Sequence, residues 1–519
     1  METALATALP RIHPTVRINI YELPHHRILG GAMISARRQA YAAEVIALPS
    51  ARPLCVDLDG TLVKSDTLVD SLLFLVRTHP LEALKVPLWA LEGKAALKSK
   101  VASLVSLDVE HLPYNSPLLA YLLEQRDEGR EIYLTTGADH KLATRVADHL
   151  GIFTGVLASD GTTNLTGKNK LASLNRRFET GFDYIGNARL DLPLLAAAGE
   201  PMLANASSST SALLKKRQIS ITRTFEDRKP LILTMLKAVR PHQWAKNLLV
   251  LVPLVLAHTL KLHAIAQVLL AFVCLSLCAS ASYLINDLLD IEADRRHPRK
   301  RFRPFAAGDL AASTGLWLAR IFLAAAFVGA YFLPRAFTGW LLLYTAATLA
   351  YSLFLKRVVL VDVIILSGLY TLRLLAGGAA AQVKISPWLA GFAVFLFLSL
   401  AMVKRFSELQ NNRAQGQVPS IGRGYMLADI EQLRSFGTAS AYAGMVVFAM
   451  YISGHEVITL YSHAARMWLI VPLMILWISR VWLLAGRGLL DEDPVIFAVT
   501  DRMSLLIGAC VAVVAFLAL

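Results

Sequence analysis

Asn286-Asp287-x-x-Asp290-x-x-x-Asp294 closes an apolar stretch, and the basic run Arg295-Arg296-His297-Pro298-Arg299-Lys300-Arg301-Phe302-Arg303-Pro304 follows at once. Charge packed this densely beside a membrane span is costly unless it has a task. The spacing i, i+3, i+7 predicts one helix face for Asp287, Asp290 and Asp294. Convergent carboxylates suit a hard divalent cation such as Mg²⁺, which usually bridges to substrate phosphates. The adjacent bases suit the same phosphates directly. A positive-inside anchor with a solvated loop accounts for the bases. It leaves the spaced acids unexplained, so the pattern points to a metal–diphosphate site.

Two more charges fall inside apolar segments. Asp362 follows Lys356-Arg357 and needs a partner or a task. A salt bridge to Lys356 or Arg357 is the plain reading; a second metal or substrate ligand is the sharper and preferred one. Arg373 either snorkels, pairs with Asp362 or contacts a lipid phosphate. Lys404-Arg405 reads as an interfacial anchor, and Gly377-Gly378 as a close helix contact.

The elements that must position these groups divide the chain in two. Of 519 residues, 55% are hydrophobic and 17% charged. Long apolar segments recur only from about Lys246 onward, so a soluble part precedes a membrane part. Nine helical spans are expected, centred near Leu251, Cys274, Ala324, Ala346, Ser367, Phe395, Val446, Ile475 and Val511. Basic loops alternate with base-poor ones, which puts the soluble part and the acidic loop together in the cytoplasm. The net charge of +14 fits those loops and anionic headgroups rather than nucleic acid. Cys55, Cys274, Cys278 and Cys510 have no metal-like spacing and indicate no disulfide framework. Residues 1–50 lack a secretory h-region and read as a poorly ordered extension in which Met33 is an alternative start.

Around the acidic motif the sequence resembles the UbiA superfamily of intramembrane prenyltransferases, and within it the decaprenyl-phosphate phosphoribosyltransferases. The matching segments are Arg240-Pro241-His242-Gln243-Trp244-Ala245-Lys246-Asn247, Asn286 to Gly308, Tyr351-Ser352-Leu353 with Lys356 and Asp362, and Asp493-Pro494-Val495 with Phe497, Asp501 and Arg502. The resemblance spans nearly all of 236–519. It implies transfer of 5-phosphoribose from phosphoribosyl pyrophosphate to a polyprenyl phosphate. Mg²⁺ on Asn286, Asp287, Asp290 and Asp294, with Asp362 near a second position, would bind the pyrophosphate. Lys246, Asn247, Lys300, Arg303, Lys356 and Arg373 are the implied substrate-binding residues. The Asp-x-x-x-Asp second motif of aromatic prenyltransferases is absent, which favours the phosphoribosyl branch.

In the soluble part, Pro53-Leu54-Cys55-Val56 reads as a buried strand, and Asp57-Leu58-Asp59-Gly60-Thr61 after it resembles the first motif of haloacid dehalogenase-like phosphohydrolases. That family's roles would make Asp57 the nucleophile and Asp59 the acid and base. Thr136 resembles the phosphoryl-holding hydroxyl, Lys170 the third-motif lysine (Lys168 is the runner-up), and Phe182 to Asn187 with Asp191 the fourth motif. Mg²⁺ would sit on Asp57, Asn187 and Asp191. The family usually has an acid where Asn187 stands, so an inactive scaffold is the alternative. Residues 66–115 read as an amphipathic helical cap, either packed on its own core or presenting an apolar face to the bilayer or a lipid. A polar linker is expected near Ser207–Ser211.

The expected architecture is an extension (1–50), an α/β Rossmann-like domain with a small helical cap (51–222), a linker (223–235) and an all-α polytopic domain of about nine transmembrane helices (236–519). The expected function is a bifunctional, Mg²⁺-dependent enzyme of the cytoplasmic membrane. Its transferase ribosylates a polyprenyl phosphate, and its phosphatase removes a phosphate, with the 5-phosphate of that product as the candidate. Oligomeric assembly is left open. The alternatives are a prenyltransferase acting from a polyprenyl diphosphate onto an aromatic acceptor, with a regulatory or inactive phosphatase-like domain, and a non-catalytic lipid carrier.

Overall fold

Six strands form one parallel sheet in the order β3-β2-β1-β4-β5-β6. They are β1 (Leu54–Val56), β2 (Ile132–Asp139), β3 (Gly155–Ser159), β4 (Asp183–Gly186), β5 (Pro201–Ala204) and β6 (Arg223–Phe225). The computed structural model describes residues 52–258, 261–414, 424–490 and 494–519. The expected extension over 1–50, and Asp493, lie outside the described residues. Leu54, Cys55 and Val56 are fully buried, as a central parallel strand covered on both faces requires. β1 pairs with β2 on one side and β4 on the other, so the chain changes direction around β1. Such a switch point opens a crevice at the carboxyl ends of the strands. Asp57 follows β1, Thr136 lies in β2 and Asn187 follows β4, so all three reach that crevice.

The polar segment 207–211 does not close this domain. Ser207 caps the helix Ser208–Lys216, and the chain then returns as the edge strand β6. The sheet therefore takes three residues that the sequence assigned to a linker. A strand of only Arg223-Thr224-Phe225 has too short an alternation to announce itself.

The insertion after β1 starts with the helix Thr67–Thr78, whose first turn is capped by Asp66 accepting from Leu68 and Val69. Leu75, Leu97, Val101 and Val105 make it a small core, with Leu72, Phe74 and Trp89 partly buried against them. Its segment Pro80–Leu91 also leaves Leu81, Leu84, Leu88 and Leu91 between 62% and 85% exposed. Both sequence readings of the insertion thus have a structural counterpart.

The C-terminal half is all helical. Among the described residues, seven helices are long and apolar enough to cross a membrane, from Leu262–Leu289 to Ala464–Gly486. Each holds one of the expected centres from Cys274 to Ile475. The first and last expected spans fall on shorter elements among the described residues. Around Leu251 a tight helical stretch, Pro241–Leu251, runs into Val252–Leu256, and Val511 lies in the 17-residue helix Arg502–Ala518. At Gly377 a Cβ would come within 2.2 Å of the Val250 carbonyl oxygen, so the broken segment packs directly on the span Val361–Ala381.

The two halves are in contact. Leu73 of the insertion packs into an apolar cluster with Ala281, Leu284, Leu288 and Ile291. Arg295 donates to Asp70 at 2.7 Å, Arg296 pairs with Asp108 at 2.7 Å, and Lys64 pairs with Asp309 at 3.1 Å.

Candidate functional site

The span Leu262–Leu289 carries Asn286 and Asp287 in its last turn and stops there. Asp290 is the joint between it and the short helix Ile291–Arg296, which carries Asp294. The acids therefore do not share one continuous helix face, as the spacing predicted. Bases draw them into two pairs instead. Arg303 Nη1 lies 3.2 Å from Asp287 Oδ1 and 2.7 Å from Asp294 Oδ2. Lys356 Nζ donates to Asn286 Oδ1 at 3.0 Å and to both Asp290 oxygens at 2.8–2.9 Å. Burial pushes the Asp294 carboxyl up to about 6, against the pull of Arg303. Three carboxylates and an amide oxygen, held in two pairs by Arg303 and Lys356, are the oxygen donor types that a hard divalent ion takes.

A cavity of about 560 Å³ opens beside this loop. Asn286, Asp290, Lys246, Lys300, Arg303, Lys356 and Arg373 line it. Asn247 does not line it. Its amide carbonyl accepts from Arg373 Nε at 2.8 Å and its NH₂ donates to Ser276, so it orients the arginine. Arg373 also donates to Tyr344 Oη at 3.0 Å and to the Leu369 carbonyl oxygen at 2.7 Å. A buried guanidinium among neutral oxygens, facing a cavity, is set to receive an anion.

Asp362 is placed elsewhere. It is fully buried, accepts from Arg405 Nε at 2.6 Å and receives the Tyr425 hydroxyl. Its partner is none of Lys356, Arg357 or Arg373, and both its oxygens are taken. This geometry is that of a helix-to-helix ion pair. Arg405, expected as an interfacial anchor, is that pair's buried half and also lines the cavity. Asp501 caps the helix Arg502–Ala518 and pairs with Arg480 at 2.6 Å.

Two arginines at the Asp-rich loop were not foreseen. Arg240 donates to both Asp287 oxygens at 2.6–2.8 Å. Its backbone is left-handed (φ +55°), not the extended form usual before proline, so the Arg240-Pro241 step does not announce it. Arg77, from the insertion, lies 2.9 Å from Asp290, and no local pattern points to a partner so far along the chain.

In the sheet domain, Lys170 Nζ reaches Asp57 Oδ1 at 2.9 Å and Tyr184 Oη at 3.1 Å. Burial opposes the Lys170 charge, but Asp57 and Asp191 outweigh it and hold its pKa above the usual lysine value. Burial pushes Asp57 up to about 6 despite Lys170. It pushes Asp59 up to about 7, with the nearby Asp66 carboxylate adding to the shift. The backbone N–H of Thr67 fixes Asp59 Oδ1 at 2.8 Å. Thr136 is fully buried, its hydroxyl oxygen accepting from the Ala138 N–H at 3.0 Å.

Asp191 accepts from Tyr184 Oη at 3.0 Å and from the N–H groups of Asn187 and Ala188 at 2.9–3.2 Å, so it braces the loop after β4. Asn187 Oδ1 is buried without a hydrogen-bond partner. An orphaned amide oxygen beside Asp57 fits a Mg²⁺ ligand better than a filler side chain. Gly60 (φ +74°) makes room for it: a Cβ there would lie 2.0 Å from Asn187 Nδ2. Lys98 of the insertion also reaches this crevice, donating to the Gly137 carbonyl oxygen and to Asn164 Oδ1.

A family model described as the UbiA prenyltransferase family matches residues 248–517, just over half the chain. The chain belongs to the UbiA prenyltransferase family. The decaprenyl-phosphate phosphoribosyltransferase of Mycolicibacterium smegmatis is 37% identical over 228 residues, 43% of this chain and 71% of that protein. Over both halves, a Sinorhizobium fredii protein named as uncharacterized protein y4nM is 36% identical across 463 residues, 89% of this chain and 90% of that one. A solved UbiA homolog from Archaeoglobus fulgidus, bound to GPP and Mg²⁺, is 18% identical with a TM-score of 0.43, covering 55% of this chain and 99% of that one.

Proposed function

We propose that the membrane half transfers 5-phosphoribose from phosphoribosyl pyrophosphate to a polyprenyl phosphate at the cytoplasmic face, with Mg²⁺ held at Asn286, Asp287, Asp290 and Asp294. The observation that carries this reading is the charge of the cavity. Eight Lys and Arg side chains line it, against one lining carboxylate, Asp290. Counting the acids behind the wall (Asp287, Asp294, Asp362 and Glu408) still leaves bases in excess. A polyprenyl diphosphate with a neutral aromatic acceptor brings one anionic group. Phosphoribosyl pyrophosphate with a lipid phosphate brings three, each monoester carrying about −1.5 to −2. The surplus suits the second pair. The relation to decaprenyl-phosphate phosphoribosyltransferases over part of the chain points the same way.

Mg²⁺, when bound, supplies charge to the departing pyrophosphate. Lys300, Arg303 and Lys356 neutralise its oxygens as the C1–O bond breaks and the electron pair leaves with it. Arg373 and Lys246, deeper in the cavity, hold the lipid phosphate. One of that phosphate's oxygens attacks the oxocarbenium-like C1 from the opposite face.

We further propose that the sheet domain hydrolyses a phosphomonoester. Asp57 attacks phosphorus while Asp59, protonated near neutrality, delivers a proton to the leaving alcohol. Asp59 then takes a proton from the water that cleaves the aspartyl phosphate. Lys170 and Thr136 hold the phosphoryl oxygens, and Asp57 with Asn187 would hold the ion. Sharing one chain raises the local concentration of ribosylated product at this second site. The test is pyrophosphate release: phosphoribosyl pyrophosphate with polyprenyl phosphate should release it. Release only from a polyprenyl diphosphate with an aromatic acceptor would replace this reading with prenyl transfer.

A further inference from the structure

Arg77 belongs to the insertion of the sheet domain, yet its guanidinium ends in the Asp-rich loop of the membrane half. Arg77 Nη1 lies 2.9 Å from Asp290 Oδ1 and donates to the Leu289 carbonyl oxygen at 3.2 Å. Leu289 is the last residue of the span, and Asp290 the joint after it. One nitrogen therefore ties down both an end carbonyl of a 28-residue helix and the carboxylate that follows. A cation there is also favoured by the helix dipole. Asp290 lines the cavity and Arg77 does not, so Arg77 stands behind the carboxylate rather than in the substrate's path.

The contact is built, not incidental. Arg77 lies one turn from Leu73, which packs among Ala281, Leu284 and Leu288. At the other end of the same helix, Asp70 meets Arg295, both side chains 2% exposed. The helix carrying Arg77 is thus fixed against the membrane half at three levels.

We propose that Arg77 is a positioning residue of the membrane-half metal site, so that the sheet domain completes the site it is fused to. This rests on the reading of Asp290 as a metal ligand. Arg77 and Lys356 between them fix the orientation of the carboxylate that would hold the ion. Groups that orient metal ligands typically contribute about 10- to 100-fold in metal affinity. Charge alone acts in the opposite direction: removing a cation next to the ion would tighten binding. The two accounts therefore differ in sign.

The experiment is a Mn²⁺ titration of the full-length protein in lipid nanodiscs, free Mn²⁺ being counted by its electron paramagnetic resonance signal. An Asp57→Asn, Asn187→Ala background removes the ligands of the sheet domain. In that background Arg77→Ala should weaken Mn²⁺ binding by about 10-fold or more, and Arg77→Lys, which keeps a charged donor, should recover most of it. Unchanged or tighter binding in Arg77→Ala overturns the proposal. So does an equal loss in Asp70→Asn, which would assign the effect to domain docking as a whole. Asp290→Asn tests the underlying reading separately: if it binds Mn²⁺ as well as its parent, the metal assignment fails before Arg77 is in question.

Discussion

Asp70 and Arg295 meet at 2.7 Å across the boundary between the two halves, and each side chain is 2% exposed. One charge comes from the insertion after β1, the other from the basic run after the Asp-rich motif. Removing one member of such a pair strands the other and costs about 3–5 kcal/mol. Asp70→Ala is therefore expected to loosen the docking of the insertion. Hydrogen exchange should rise in Thr67–Thr78 while the sheet strands stay protected. Unchanged protection of that helix would show that the pair does not hold the interface.

Asp362 and Asp290 are expected to behave differently, although both are acids at the membrane half. Asp362→Asn breaks the buried pair with Arg405 and lowers thermal stability, leaving the Mg²⁺ concentration for half-maximal turnover unchanged. Asp290→Asn removes Mg²⁺-dependent turnover with little loss of stability. A matched pair of melting curves and Mg²⁺ titrations reads both. A Mg²⁺ requirement that shifts in Asp362→Asn would return that residue to the metal site.

The phosphomonoester hydrolysis proposed for the sheet domain should show a descending alkaline limb set by Asp59. Its carboxyl is pushed up to about 7, so the protonated general acid is lost as pH rises through that value. Asp57 must be ionised to attack, and burial raises it to about 6, which sets an acidic limb. A cation on Asp57 favours its charged form and moves that limb lower. The rate of p-nitrophenyl phosphate hydrolysis, followed with pH, should therefore fall about tenfold per unit well above pH 7. A profile flat through pH 8 would remove Asp59 from the acid's role.

Asn187→Asp restores a carboxylate at the orphaned oxygen. It is expected to lower the Mg²⁺ needed for hydrolysis several-fold, since ligand charge tunes affinity for hard cations. Gly60→Ala should abolish hydrolysis, because its Cβ would displace Asn187 and its backbone stands at φ +74°. Both variants are read by Mg²⁺-dependent hydrolysis of the same chromogenic ester.

Much of this was legible in the sequence where chemistry is local. Asp57 and Asp59 follow an apolar strand, Lys170 opens a helix, and the Asn286–Arg303 run names itself by charge density. Folding then brings Lys170 to Asp57 across 113 residues. What stayed hidden depends on the break and on distance. The joint at Asp290 turns the predicted single face into two short arms, a choice made by packing rather than by spacing. Asp362 finds Arg405 only once two spans lie side by side. Arg77 reaches Asp290 through a docking of domains that no periodicity encodes. The short strand Arg223–Phe225 is recognisable only by its pairing with β5.

The most direct test of the account is the mass of the lipid product. Purified full-length protein in detergent is given Mg²⁺, labelled phosphoribosyl pyrophosphate and a polyprenyl phosphate, and wild type is compared with Asp57→Asn. The account predicts a ribosylated lipid lacking its 5-phosphate from wild type and retaining it from Asp57→Asn. Phosphate retained in both would separate the sheet domain from this product, and no ribosylated lipid in either would contradict the transferase itself.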